Sequence, residues 1–525
     1  MLKIVEDGIE TRALAAELCA RLREVRQSVC AEADTIAKGW DSALQRGDFR
    51  ARAENLALYL AMRKRDLTEE QAALSMLGLS TLGRSEGHVL GTLDSVIAAL
   101  CALSGETPAT HRRLHQETAL ARQVEEDRDT IFGADPAGPD TRIMTTLPSE
   151  AADDPAIVAA LIEAGATCVR INCAHDGPDA WRTMAAHAHK AAARYGRDLR
   201  VAMDLAGPKV RTLAVQMPAS YLEREKKSRL KKMRHEGQDP MRAGPKLYTG
   251  DRFALVRALS KSAETPQATL SHPELLAHMS VGAKLWFDDG KMSAKVVDCG
   301  PEGALLEVET ARDKGARLAP EKGVNLPGVA LDIPALTGAD LRALDTVVEI
   351  ADVVGFSFVQ TPADVRALQQ ALAARLPAGK PAPAIILKIE TDLAVSNLPR
   401  LIVQAGGAGP VAVMIARGDL AVEIGLIRLA EIQEEILWIC EAAGVPVVWA
   451  TQVLENLAKE GHPTRAEATD AAMAQRAECV MLNKGPHAPE AVAFLAKILR
   501  RMDRHYSKKS PRLGPLRAWH GPQDL

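Results

Sequence analysis

Eight short apolar runs constrain this chain more than any other feature: Thr141–Thr146, Thr167–Asn172, Leu199–Leu205, Asp352–Phe358, Ala384–Ile389, Val411–Ala416, Val445–Thr451 and Cys479–Lys484. Most are separated by stretches with helical spacing, the pattern of a parallel sheet with crossover helices. Eight such strands fit one closed (β/α)8 barrel. An open doubly wound sheet would call for a glycine-rich first turn, and the first run is followed by Leu147-Pro148-Ser149 instead. One connection, between the third and fourth runs, is far too long for a loop. It contains the β-like runs Lys284–Phe287, Ala294–Val297 and Ala304–Val308, separated by Asp-Gly and Pro-Glu-Gly turns. That predicts an inserted all-β domain over the barrel mouth. Its basic run, Arg224 to Arg234, reads first as a solvated helix or loop and only second as an anion attractor.

Ahead of the barrel the signal is helical. Leu14, Leu18, Leu22 and Val25 recur at helical spacing, as do Leu56, Tyr59 and Leu60, and then Leu90, Leu93, Ile97 and Leu100. These predict a helical bundle with its own core, ended by the Pro/Gly/Asp-rich stretch from Gly133 to Asp140. The expected division is an N-terminal helical region at 1–138, an α/β barrel at 139–212 and 328–510, a β-rich lid at 213–327, and a tail at 511–525. A net charge of −3 and a pI near 6.5 point to no nucleic-acid or membrane partner. No window reads as the roughly 20 apolar residues that span a bilayer, and the acidic start at Met1–Arg12 does not read as a secretory signal. The eight cysteines show no C-x-x-C spacing, so they read as small core residues in a reducing cytoplasm.

The strand ends carry the chemistry, because barrels of this kind place reactive groups at the C-terminal rim. The second run ends in Arg170-Ile-Asn172, the third in Asp204 followed by Lys209 and Arg211. The fifth ends in Lys388-Ile-Glu390, the sixth in Arg417-Gly418-Asp419, the seventh in Thr451-Gln452. Any one of these alone reads as a surface charge or cap; five strands ending this way do not. Glu390 and Asp419, from neighbouring strands, suit a hard divalent cation with substrate oxygens completing its shell. Arginines and lysines around such an ion suit the oxygens of a transferring phosphoryl group. No G-x-x-x-x-G-K-[ST] loop occurs, and no Ser-His-Asp or Cys-His set assembles at this rim.

Thr141-Arg-Ile-Met-Thr-Thr-Leu-Pro-Ser149, Val169-Arg-Ile-Asn-Cys-Ala-His175, Met203-Asp-Leu-Ala-Gly-Pro-Lys-Val-Arg-Thr212, Lys322-Gly-Val-Asn-Leu-Pro-Gly328, Leu387-Lys-Ile-Glu390, Ile415-Ala-Arg-Gly-Asp-Leu420, Trp449-Ala-Thr-Gln452 and Pro463-Thr-Arg-Ala-Glu467 resemble the pyruvate kinase family in order and spacing, over about residues 140–500. The resemblance implies phosphoryl transfer from phosphoenolpyruvate to ADP, giving pyruvate and ATP in glycolysis, with Mg2+ as the ion and Mn2+ as an alternative. It also admits a homo-oligomer. Carried over by position, Lys388 stabilises the phosphoryl group in flight, and Glu390 with Asp419 binds Mg2+. Arg170, Arg211 and Lys322 contact phosphates. Gly418, Asp419 and Thr451 hold the substrate carboxylate, with Thr451 near the enolate to be protonated. Asn172, His175 and the lid's Asp289 lie toward the nucleotide. His175 reads equally well as a surface or core residue.

The departures are specific. Leu147 stands where the family has a glycine, and Asn483-Lys484-Gly485-Pro486-His487 replaces the usual motif after the last strand. About 40 residues follow that strand, so the family's C-terminal effector domain is not expected, nor is activation by fructose 1,6-bisphosphate. Ala174 replaces a serine whose hydroxyl ligates K+ in the family, and Lys209 replaces a glutamate. With Asn172 and Asp204 as the family's other K+ ligands, this pair implies a tethered ammonium in place of the ion and no requirement for K+. Two other readings stay open: a Mg2+-dependent barrel lyase or aldolase using phosphoenolpyruvate or pyruvate, and a non-catalytic regulatory homologue.

Overall fold

The structure, a computed structural model, describes residues 2–107, 114–222, 244–288, 290–327, 333–507 and 510–511. The basic run Arg224–Arg234 and Asp289 lie outside the described residues. Each of the eight apolar runs contains one strand of a single parallel barrel: β1 Arg142–Thr146, β2 Cys168–Asn172, β3 Arg200–Asp204, β4 Val353–Phe356, β5 Ala384–Ile389, β6 Val411–Ala416, β7 Val447–Ala450 and β8 Cys479–Leu482. Each strand pairs with its sequence neighbours, and β1 closes the ring on β8 through Ile143 opposite Val480. The strands are buried nearly end to end because helices cover the outside and side chains fill the inside. Met144, Cys168, Ala202, Ile386 and Met414 form the inner core. Side chains alternate along a strand. The inward parity that buries Cys168, Ala202 and Ile386 therefore also turns Arg170, Asp204 and Lys388 into the upper barrel.

Among the described residues, five α-helices precede the barrel: α1 Leu2–Lys38, α2 Gly47–Arg63, α3 Thr68–Met76, α4 Val89–Ser104 and α5 Leu114–Phe132. Ile131 and Phe132, at the end of α5, join the inner core beside Cys168, Ala202 and Val353, so they close the barrel's N-terminal end. Gly133 then turns the chain at φ 84°; a Cβ there would lie 2.3 Å from the Asp198 carbonyl oxygen, so only glycine fits. α2 docks on the helix Leu426–Ala443. Asn55 Nδ2 donates to the Ala442 carbonyl at 2.8 Å, Arg52 Nη1 to that of Gly444 at 3.1 Å, and buried Phe49 fills the space a side chain at Gly406 would need.

The expectation that no stretch is apolar enough to span a bilayer is corrected. Glu86–Ser104 meets that test by length and composition, with mean hydropathy 1.5. Its apolar face is the core of the bundle: Leu93 and Leu100 are buried, and Asp94, also buried, pairs with Arg26 of α1. A buried bundle helix and a membrane span share the same composition, which is why composition alone does not separate them.

The insertion between β3 and β4 folds as a seven-stranded sheet. Its strand order is Val324–Asn325, Lys284–Phe287, Met292–Gly300, Gly303–Ala311, Arg252–Val256, Gln267–Leu270, Thr212–Gln216. It has a separate hydrophobic core, in which Phe253 and Phe287 meet edge to face at 5.3 Å. The Arg211–Gly323 bridge brings the two ends of the insertion together at its base.

Candidate active site

The C-terminal rim holds a buried chain of charges. Arg170 Nε donates to Asp204 Oδ2 at 2.8 Å, and its Nη1 to Thr146 Oγ1 at 3.0 Å. Lys388 Nζ lies 3.3 Å from the same Asp204 oxygen, 3.1 Å from Glu390 Oε1 and 2.6 Å from Ser357 Oγ. Glu390 Oε2 accepts from the Phe358 backbone N–H at 2.6 Å. Asp204 reaches this position because β4 carries Gly355 beside it: a Cβ there would fall 2.1 Å from Asp204 Oδ1.

The electrostatics follow from burial set against pairing. Burial works to raise the Asp204 carboxyl, but Arg170 and Lys388 outweigh it and hold the group below the usual carboxylate range. Burial works to lower Lys388, yet Glu390 and Asp204 carry it above its ordinary value, so it stays an ammonium. Glu390 is pushed up, chiefly by burial and further by the charge of Asp419, with Lys388 opposing. A carboxyl raised by burial and by a neighbouring carboxylate is one that a cation would relieve.

Asp419 lies in the first turn of the helix Arg417–Ile424 directly after β6, and Lys209 Nζ sits 2.7 Å from its Oδ1. The expectation that Lys209 occupies the pocket of Asn172 and Asp204 is corrected, because barrel closure brings Asp419 within its reach. In the structure Asp204 Oδ2 is shared by Arg170 and Lys388, Asn172 Oδ1 accepts from the Ala174 backbone N–H at 3.1 Å, and Lys209 bonds Asp419. Glu390, whose carboxyl burial pushes up, and Asp419, paired with Lys209, are an oxygen donor set that fits Mg2+.

Gly418 is needed where it stands, because a Cβ would lie 2.7 Å from Thr451 Cγ2. Thr451 and Gln452 both have positive φ, 74° and 58°, a conformation that non-glycine side chains rarely adopt. Arg417 holds that turn: it stacks on Trp449 at 4.6 Å and donates to the Ala450 and Thr451 carbonyls at 2.8 and 2.7 Å, with Asp470 at 2.9 Å fixing its other edge. Strain concentrated at a rim with several charged groups is the mark of a working site.

On the lid side, Arg211 is tied by its backbone N–H to Ser271 Oγ at 3.0 Å and by Nη1 to the Glu321 carbonyl at 3.1 Å. Lys322 Nζ pairs with Asp288 at 3.1 Å. Arg170, Asn172 and His175 line a cavity of about 230 Å³ together with Lys459 and Lys484. His175 itself is exposed. A second cavity, of about 240 Å³, runs between lid and barrel past Lys209, Phe358 and Glu423. A further one, of about 400 Å³ beside Trp438 and α2, is lined by none of the rim residues.

The structure thus gathers Arg170, Asp204, Lys388, Glu390, Gly418, Asp419, Thr451 and Lys209 at one rim, with Arg211 and Lys322 at the base of the lid. Sequence reasoning missed Ser357, Lys459 and Lys484. Ser357 lies one residue past β4, and its parity with the inward strand residues was the signal that could have found it.

Fold and rim together define a lidded (β/α)8 barrel whose C-terminal rim gathers buried, paired charges. The profile of the pyruvate kinase barrel domain matches residues 139–489. Human pyruvate kinase PKLR is 32% identical over 65% of this chain and 56% of its own length, and the Geobacillus stearothermophilus pyruvate kinase 31% over 69% and 57%. The Methylorubrum extorquens pyruvate kinase is 30% identical over 69% of each chain. The chain belongs to the pyruvate kinase family. It spans between half and two thirds of the length of the first two of these relatives.

Proposed function

We propose that this protein transfers the phosphoryl group of phosphoenolpyruvate to ADP, giving pyruvate and ATP. The observation that carries the reading is the buried Arg170–Asp204–Lys388–Glu390 chain under a lid, in a chain of this family. Phosphoryl transfer asks little covalent chemistry of a protein and much positioning and charge stabilisation. Lys388, kept charged by two carboxylates and aimed by Ser357, faces the oxygens of the moving phosphoryl group. Arg170, oriented by Asp204 and Thr146, holds the same group from the β2 side. Glu390 and Asp419 would hold Mg2+ or Mn2+, which when bound supplies charge neutralisation at the phosphate oxygens. Gly418 and Asp419 with Thr451 orient the substrate carboxylate, and Thr451 serves the protonation of the nearby enolate. Arg211 and Lys322 reach the nucleotide phosphates from the lid base, while Asn172 and His175, with Lys459 and Lys484, line the nucleotide cavity.

Two features support activity without K+: Ala174 brings no hydroxyl, and Lys209 adds a tethered positive charge on Asp419. The test is pyruvate formation from phosphoenolpyruvate and ADP in tetramethylammonium buffer, with and without Mg2+ and then with K+ added. Activity that needs Mg2+ and is unchanged by K+ is expected. No pyruvate in any condition overturns the reading, and strong K+ stimulation overturns its K+-independent part.

A further inference from the structure

Outside the active site, one cluster of reactive side chains has no part in the chemistry above. Cys19 of α1 and Cys101 in the last turn of α4 are both buried, and their Sγ atoms lie 3.2 Å apart. Arg23, one turn beyond Cys19, donates from Nη2 to Cys101 Sγ at 3.1 Å and to Glu106 Oε2 at 2.8 Å. Its side chain is 49% exposed, so a cation joins the sulfur pair to the surface.

We propose that Cys19 and Cys101 are a dithiol that a peroxide oxidises to a disulfide, stapling α1 to α4. Three observations support this. The two sulfurs share a hydrogen bond at 3.2 Å, on two helices that pack against each other. The guanidinium beside Cys101 marks that sulfur as the attacking one. Burial and the neighbouring sulfur push the Cys19 thiol up to about 11. Cys101 lies in the last turn of α4, which Gly105 terminates at φ 87°, and helix ends open more readily than helix centres.

The chemistry balances. Cys101 sulfur attacks one peroxide oxygen, the O–O bond breaks, hydroxide leaves and is protonated to water, and Cys101 becomes the sulfenic acid. Cys19 sulfur then attacks Cys101 sulfur, the S–O bond breaks, and the hydroxyl departs with the Cys19 proton as a second water. Two thiols and one hydrogen peroxide give one disulfide and two waters.

Glu106 also lies close enough to make a three-ligand set for a soft metal ion with the two thiols. Arg23 donates into both Cys101 and Glu106, so an ion there would have to displace that guanidinium.

The test treats the full chain with hydrogen peroxide, quenches with catalase, blocks the remaining thiols, and maps peptides by mass. A Cys19–Cys101 linked peptide, reversed by dithiothreitol, is expected while the other six of the eight cysteines stay reduced. The oxidised protein should melt about 3–5 °C higher, because the link closes a long loop of the unfolded chain. Arg23→Gln should slow the cross-link about tenfold without changing the product. Cys19→Ser should lose the link and leave a sulfenic acid at Cys101 that dimedone traps. Cys101→Ser, with its melting curve checked first, should lose both. The proposal is overturned if the folded wild type yields no linked peptide, if the oxidation runs to sulfinic acid at either residue, or if the thiols are shielded by a bound metal that a chelator releases.

Discussion

Replacing Lys388 by methionine removes the one ammonium held between two buried carboxylates while keeping its volume. Lys388 lies 3.3 Å from Asp204 and 3.1 Å from Glu390 and is only 9% exposed. A unit charge acting at about 4 Å in an effective dielectric near 20 is worth about 4 kcal/mol. If that interaction exists chiefly in the transition state, kcat falls about a thousandfold. The ground state loses less, so KM for phosphoenolpyruvate should move by no more than about fivefold. The fold also pays a cost. Asp204 keeps Arg170 and Glu390 keeps the Phe358 N–H, yet Glu390 loses the only cation in contact with it among the described residues. Breaking a buried pair costs about 3 kcal/mol, so a melting curve must first show that the variant is folded at the assay temperature. Steady-state pyruvate formation at saturating Mg2+ and ADP then gives kcat and KM separately. A folded Lys388→Met enzyme with kcat within tenfold of wild type refutes the role. Ser357→Ala, which removes only the hydroxyl that aims the ammonium at 2.6 Å, should cost about tenfold in kcat.

Further outcomes are expected from the same geometry. Glu390→Ala should raise the Mg2+ concentration for half-maximal activity by an order of magnitude or more and lower the maximum, read from a Mg2+ titration; an unchanged midpoint removes Glu390 from the metal set. Gly418→Ala pushes a Cβ to 2.7 Å from Thr451 Cγ2, so the strained turn must move and KM for phosphoenolpyruvate should rise about tenfold with the melting point little changed. Asp204 has a folded-state pKa below its unfolded one, so its stabilising contribution is present above about pH 4 and is lost as pH falls through the folded value. Glu390 is raised and works in the opposite sense. Asp204→Asn should therefore flatten the acid limb of stability against pH, and Glu390→Gln should steepen it, measured by urea unfolding between pH 3 and 7. Phe49→Ala empties the contact at Gly406 and should destabilise the docking of α2 on the barrel by about 3–4 kcal/mol, seen as a lower or split melting transition.

The barrel was legible because its strands are buried on both faces and so appear as unbroken apolar runs, whose ends could be read in register. The lid was legible only in part. Its strands Lys284–Phe287, Met292–Gly300 and Gly303–Ala311 carry clear runs, whereas two-residue pieces such as Val324–Asn325 carry no periodicity. The bundle's helices showed their spacing, but nothing in Phe49 or Asn55 announced a partner at Gly406 or Ala442, because docking is set by surfaces distant in sequence. The same holds at the rim. Lys209 and Asp419 are 210 positions apart, and their pairing comes from the barrel's closure rather than from either motif. Ser357 was passed over because a serine one residue past a strand resembles any cap.

The rim's charges also bear on why so many ionised groups can be buried together. Lys388, Arg170 and Lys209 stand against Asp204, Glu390 and Asp419, three cations against three carboxylates, each paired within 3.3 Å. Buried charges survive only when paired, so these six groups together are near neutral by construction. Its two ends are not equivalent. At the Asp204 end one carboxylate is shared by two cations and sits below its usual range, which makes that end fixed and positioning. At the Glu390–Asp419 end two carboxylates lie near enough for one to raise the other, with Lys209 as a tether on a partly exposed oxygen. It follows that Lys209→Gln and Asp204→Asn should fail differently. The first should change Mg2+ and monovalent-cation dependence while leaving the fold intact; the second should lower thermal stability and disturb Arg170 and Lys388 together. If both variants instead lose the same stability and show the same cation dependence, the rim is one undifferentiated network, and the division into a fixed end and a metal-holding end is wrong.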